Sequence, residues 1–198
     1  VGLFVVPAHS ASVWSAVVER LEKSTVFIQI GESGGCTGFV INEEKDYILT
    51  AAHCFGDDLN AKDVYANSEP VKVIYKDAKK DLMVLEVEGL DKPALTLAKT
   101  NPKIGDQVAS FGYGYALERP MFRVAFISDD RAYIHESNIG GPFLVIDAAF
   151  VGGQSGGPVV NEAGEVVMIV QRASNLVGLG VGAEIIKEKT GKHWAKRP

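Results

Sequence analysis

The stretch Gly152-Gly153-Gln154-Ser155-Gly156-Gly157-Pro158 sets one hydroxyl between two pairs of glycines, and between the apolar runs Phe143-Leu144-Val145-Ile146 and Val159-Val160. So dense a run of glycine costs conformational entropy and marks a loop of unusual backbone geometry. Such a loop can aim two backbone N–H groups at one point, as an oxyanion site requires; the plain alternative is a glycine hairpin with a turn serine. A serine hydroxyl becomes an effective nucleophile at neutral pH when a base takes its proton, and the base works best when a third group orients it. Of the four histidines, His9 lies in an apolar N-terminal segment, His135 ends a strand-like run and His193 sits in a basic tail. Each of these reads as a surface or packing residue. His53 differs: it follows Tyr47-Ile48-Leu49-Thr50 through the small Ala51-Ala52, just past a strand end, where scaffolds present functional groups. Asp81 stands directly before Leu82-Met83-Val84-Leu85. A carboxylate at the mouth of a buried strand needs a partner, and a histidine N–H suits it. Asp77 and Asp91 read as charges facing water.

The elements that must hold these groups are mostly short strands. Residues 12–23 read as a helix capped by Ser12, with Val13, Ala16, Val17 and Leu21 on one face. Strand-like runs then recur between turn signals: Val26-Phe27-Ile28-Gln29-Ile30, Phe39-Val40-Ile41, residues 47–50, Val64-Tyr65-Ala66, residues 71–75, 82–87 and Ala94-Leu95-Thr96-Leu97. After a linker at 93–105 come residues 107–111, 122–127, Ala132-Tyr133-Ile134-His135, 143–146, 159–160, 166–170 and 177–181, then a short helix at 184–189. This pattern predicts an all-β chain of two modules of about six strands each, meeting near residue 100. The boundaries expected are 1–24 for an N-terminal segment and helix, 25–100 for one module, and 101–198 for the other with its closing helix.

Composition narrows the classes further. The chain has 198 residues, 46% hydrophobic and 23% charged, which suits one domain or two small ones with a real core. A net charge of −5 with no long basic cluster argues against a nucleic-acid surface, and no run is long and apolar enough for a membrane span. The basic tail 187–197 reads as a solvated helix face. The N-terminal residues 1–11 could be the remains of a targeting segment, a first strand or an interface arm. The two cysteines, Cys36 and Cys54, show no metal-binding spacing and are either buried thiols or one bridge. No metal and no cofactor are expected.

With Thr50-Ala51-Ala52-His53-Cys54, Asp81-Leu82-Met83-Val84-Leu85 and Gly153-Gln154-Ser155-Gly156-Gly157-Pro158 together, the chain resembles the chymotrypsin-like serine proteases over residues 25–186. The order His, Asp, Ser is the order of that fold. Within it, Gly38-Phe39-Val40-Ile41, Ile104-Gly105-Asp106-Gln107-Val108, Asp147-Ala148-Ala149 and Asn161-Glu162-Ala163-Gly164-Glu165-Val166 are similar to the HtrA (Deg) type. The resemblance implies two six-stranded antiparallel β-barrels with short N- and C-terminal helices and a site in the cleft between them. It implies a serine endopeptidase acting on polypeptides, with Ser155 as nucleophile, His53 as base then acid, Asp81 as its orienting partner, and the N–H groups of Gly153 and Ser155 as the oxyanion site. The alternative is a catalytically silent chymotrypsin-fold binding or chaperone module.

Further expectations follow from where the chain departs from these relatives. HtrA proteins usually carry a PDZ domain after the protease; this sequence reaches Pro198 without one, so a protease-only member or a trimmed chain is expected. Cys36 and Cys54 fall where many chymotrypsin-like enzymes bracket the histidine with a disulfide, so a bridge and an extracytoplasmic or secreted setting are expected. Gln154 stands where digestive proteases have an Asp that pairs with a newly cut N-terminus; an uncharged residue cannot make that pair, so Val1 is not the expected switch and control by loop ordering is. By the same resemblance, a specificity pocket forms from Ala149, Phe150, Val151 and Gly152, from Gln171, Arg172 and Ala173, and from a wall near residues 177–182. Ala149 offers no counter-charge, so small or medium apolar side chains are expected there. HtrA relatives are often trimers, and Leu3-Phe4-Val5-Val6 is the expected contact for a homo-oligomer.

Overall fold

The computed structural model describes residues 12–32, 34–56, 64–115, 117–134, 140–174 and 176–196. Helix α1 spans Val13–Ser24, and the Ser12 hydroxyl accepts from the Trp14 N–H, as an N-cap should. Its buried face is Trp14, Val17, Leu21 and Ser24, not the face expected through Val13 and Ala16. The 3.6-residue period admits both sets, and the larger apolar surface of Trp14 wins the inward place, with its ring 6.0 Å from that of Phe122.

The first sheet contains β1 (Thr25–Ile30), β2 (Gly34–Asn42), β3 (Tyr47–Thr50), β4 (Val64–Ala66), β5 (Glu69–Pro70), β6 (Lys72–Asp77) and β7 (Leu82–Glu86), in the order β5-β4-β1-β2-β3-β7-β6. Only Val71 separates β5 from β6, and its N–H donates to Val64 O at 3.3 Å. One bent strand therefore pairs with β4 at its start and β7 at its end, and closes a barrel of six. Val26, Ile28, Val40, Ile48, Met83 and Leu85 fill it.

The second sheet runs β14-β15-β11-β10-β9-β12-β13-β8. Its strands are β8 (Thr96–Leu97), β9 (Gln107–Gly112), β10 (Met121–Ala132), β11 (Phe143–Ile146), β12 (Pro158–Val160), β13 (Glu165–Ile169), β14 (Arg172–Ala173) and β15 (Gly178–Gly180). Here β13 passes into β14, and Gln171 N donates to Leu179 O, so that one length of chain pairs with β12 and then β15 and closes a second ring of six. The all-β, two-barrel architecture expected from the motifs is the one observed. β8 is an outrigger, paired parallel to β13; of the expected strand 94–97 only this part forms.

One further strand differs from expectation. Ala132 does not open a new strand but ends β10, whose first half pairs with β9 and second half with β11, with register shifts around Asp129. Bulges let one strand turn a barrel corner without a loop. His135, like His9 and Leu3-Phe4-Val5-Val6, lies outside the described residues.

The barrels share a core in which Phe39, Leu49 and Leu82 of the first meet Phe111, Val160 and Ile169 of the second. Helix α2 (Ala183–Thr190) leads into a tail that is not a solvated face: Ala195 N donates to Ile41 O at 2.8 Å, and the Trp194 ring lies 6.3 Å from Phe39. The second barrel is thus strapped to the first. His193 packs within this strap, 6.0 Å from the Tyr47 ring and 5.7 Å from Tyr75. Burial first, then the charges of Lys192 and Lys45, push its pKa below the ordinary 6.5. A folded pKa below the unfolded one means that this stability is complete above the unfolded value and is lost as pH falls through the folded value. His193→Phe is expected to flatten the acid side of the Tm–pH curve below about pH 6.5, measured by scanning calorimetry; an unchanged slope would refute the assignment.

Candidate active site

His53 and Asp81 come from neighbouring strand ends. β3 and β7 are antiparallel, with Thr50 opposite Met83, so the residues just after β3 and just before β7 emerge at the same rim. Past β3 the chain makes a single 3-10 turn, Ala52–Phe55, carrying His53. Asp81 takes the left-handed conformation (φ 53°) and is 1% exposed. Its carboxylate accepts from His53 N through Oδ1 and meets His53 Nδ1 through Oδ2, both at 2.7 Å. A carboxylate only accepts, so this contact puts the ring proton on Nδ1 and leaves Nε2 free to accept. Asp77, expected to face water, instead accepts from Lys80 N and the Tyr75 hydroxyl and braces the turn before Asp81.

Ser155 arrives from the second barrel, on the loop between β11 and β12, with Oγ 3.0 Å from His53 Nε2. Gly153, Gly156 and Gly157 leave no room for a side chain, whereas a Cβ at Gly152 would meet nothing. Gly153 (φ 97°) has Tyr113 O 2.5 Å from where a Cβ would sit, and at Gly156 (φ 84°) a Cβ would strike Thr37 O and Thr50 Oγ1. The carbonyl of Gly152 accepts from Tyr115 N at 2.9 Å and that of Gln154 from Gly157 N at 3.0 Å. In a trans peptide the N–H points opposite its carbonyl. The N–H groups of Gly153 and Ser155, which belong to those two peptide units, are given no acceptor by any described residue.

Gln154 is buried, and its Oε1 accepts from Val151 N at 2.9 Å while its own N–H donates to Val151 O at 3.2 Å. Cys36 and Cys54 form a disulfide that ties β2 to the turn carrying His53.

Of the expected pocket residues, Phe150, Arg172 and Ala173 meet β15. Arg172 and Ala173 pair with Leu179 and Gly178, and the buried Phe150 ring lies against Gly178, where a Cβ would be 2.0 Å from it. Ala149 holds its place through its carbonyl, which accepts from Arg123 Nη1 at 2.7 Å. Gln171 turns its side chain elsewhere: Nε2 donates to Lys80 O (2.6 Å) and Asp81 O (2.9 Å), and Oε1 accepts from Val181 N. This link of Gln171, expected as a pocket residue, and the contacts of Arg123 and Thr37 do not follow from the sequence, because such long-range contacts carry no local pattern. Among the described residues no cluster of metal-ligating side chains occurs and no helix is long and apolar enough to cross a membrane.

Two closed six-stranded barrels, with His and Asp from one facing Ser from the other across their junction, define the chymotrypsin-like class of fold. The chain belongs to the trypsin-like peptidase domain family, whose model matches residues 36–169. It is 31% identical over 156 residues to a "Probable periplasmic serine endoprotease DegP-like" of Hahella chejuensis, covering 75% of this chain and 33% of that protein. A second protein of that name, from Pseudomonas savastanoi pv. phaseolicola, is 29% identical over 75% of this chain and 32% of its own length. Among solved structures, the active form of the Rv3671c protease from M. tuberculosis superposes with a TM-score of 0.76 at 26% identity, covering 94% of this chain and 87% of that one. These findings bear out the HtrA-type resemblance. The chain spans about a third of the length of the curated relatives it matches.

Gln154→Ala removes the acceptor for a part-buried N–H and is expected to cost about 1 kcal/mol, with faster amide exchange at Val151; urea unfolding and hydrogen exchange measure both, and an unchanged midpoint would contradict the bracing role.

Proposed function

We propose that the chain is a serine endopeptidase domain, and the observation that carries the reading is the continuous line from Asp81 through His53 to Ser155 Oγ, with contacts of 2.7 and 3.0 Å. Ser155 Oγ bonds to the scissile carbonyl carbon as its proton passes to His53 Nε2, and the carbonyl π pair moves onto oxygen. Asp81 holds the imidazole in the tautomer that can accept this proton and stabilises the imidazolium. The N–H groups of Gly153 and Ser155 face the developing oxyanion, and each is worth about 3 kcal/mol by the usual cost of removing such a donor. Collapse expels the amine, which takes the proton from His53; water then enters by the same route and frees the acid and Ser155. The chemistry uses side chains and backbone alone.

The proposed primary pocket is shallow and has no acidic side chain among its residues. The Phe150 ring on Gly178 takes up its depth, and Ala149 supplies no carboxylate. Small to medium apolar residues fit; Arg or Lys would bury an unpaired charge. The disulfide and the periplasmic relatives support an extracytoplasmic setting.

A fluorophosphonate is expected to label the wild type at Ser155 and to leave Ser155→Ala unlabelled; an unlabelled wild type would favour the silent binding module. Asp81→Asn is expected to lower kcat by about 10⁴-fold, because the wrong tautomer is favoured. In a peptide library, cleavage after Ala or Val is expected to exceed cleavage after Arg or Lys by about tenfold or more; the reverse order would refute the pocket assignment.

A further inference from the structure

We infer that Thr37 is a positioning residue for the oxyanion loop, an inference that rests on the endopeptidase reading. Thr37 lies in β2 of the first barrel, fully buried, one residue from the disulfide-bonded Cys36. Its Oγ1 donates to Gly153 O at 2.8 Å and accepts from Tyr113 N at 2.9 Å. Its backbone N–H donates to Ser155 O at 2.9 Å, and its carbonyl accepts from Thr50 Oγ1 at 2.8 Å.

The consequence appears when the carbonyls of the serine loop are followed in turn. Gly152 O is held by Tyr115 N, Gly153 O by Thr37 Oγ1, Gln154 O by Gly157 N and Ser155 O by Thr37 N. Thr37 binds two of these four directly. Through Tyr113 N it also anchors the segment that delivers Tyr115 to a third. Each rigid peptide plane carries the carbonyl of one residue and the N–H of the next, so Thr37 holds the planes on both sides of the one that carries the Ser155 N–H, and the plane that follows the one carrying the Gly153 N–H. The first barrel thereby orients donors that belong to the second. A hydroxyl meets the need because it donates once and accepts once; valine, of the same shape, leaves Gly153 O and Tyr113 N unpaired.

The test compares kcat and KM for wild type, Thr37→Val and Thr37→Ser on one peptide substrate, with phosphonate labelling of all three. Loop misalignment weakens binding of the transition state and spares the ground state. Thr37→Val is therefore expected to lose about 10- to 100-fold in kcat, less than the loss of a whole donor, with KM within about threefold, and Thr37→Ser to recover most of the loss. A folded Thr37→Val with wild-type kcat overturns the inference and leaves the endopeptidase reading standing. A wild type that neither labels nor cleaves removes both. If Thr37→Val does not fold, amide exchange in the wild type decides: Tyr113 and Tyr115 N–H groups protected like Thr37 N–H support the inference, and fast exchange at either overturns it.

Discussion

Asp81 is a carboxylate with 1% of its surface exposed, and a charge so placed is tolerated only where every lone pair it turns inward finds a donor. Both oxygens are committed to His53, one to its backbone and one to its ring. That demand explains the surrounding architecture. The left-handed turn at Asp81 is held from behind by Asp77, and the carbonyls of Lys80 and Asp81 are taken by Gln171 of the other barrel. The aspartate is thus over-determined from both sides of the cleft, which is the condition under which a strained, buried group can persist at a functional site.

The serine loop solves the complementary problem. The proposed reaction calls for N–H groups without protein partners, and a backbone left to itself turns such groups toward an acceptor. Here the carbonyls of residues 152 to 155 are all engaged, and Gln154 closes its own ring with Val151. Among the described residues the bracing is made by hydrogen bonds of backbone and uncharged side chains. The order of this loop is built from hydrogen bonds within it and to the neighbouring barrel.

Both arrangements depend on the barrels keeping a fixed relation. The shared apolar core, the docking of Trp194 and Ala195 on the first barrel, and Thr37 and Gln171 as polar ties across the junction act together. Apolar burial supplies most of the cohesion and the polar ties set the register. The disulfide adds a local restraint beside His53 by tying its turn to β2.

Much of this was written in local pattern. The period-two runs predict the strands, the position of His53 and Asp81 at strand ends predicts their shared rim, and the glycine-rich run predicts the positive φ found at Gly153 and Gly156 beside Ser155. Closure of the rings depended on single residues, such as Val71, whose pairing is invisible in a hydrophobicity pattern. Likewise, nothing local distinguishes Val13 from Trp14 as the inward residue of α1, or assigns Gln171 to a carbonyl 90 positions away. Side-chain type and spacing determine which chemistry is available and which backbone shapes are allowed, because these are short-range properties. Which donor meets which acceptor was decided by the tertiary structure, since that pairing exists only once two barrels have packed and brought distant chain segments within hydrogen-bond reach.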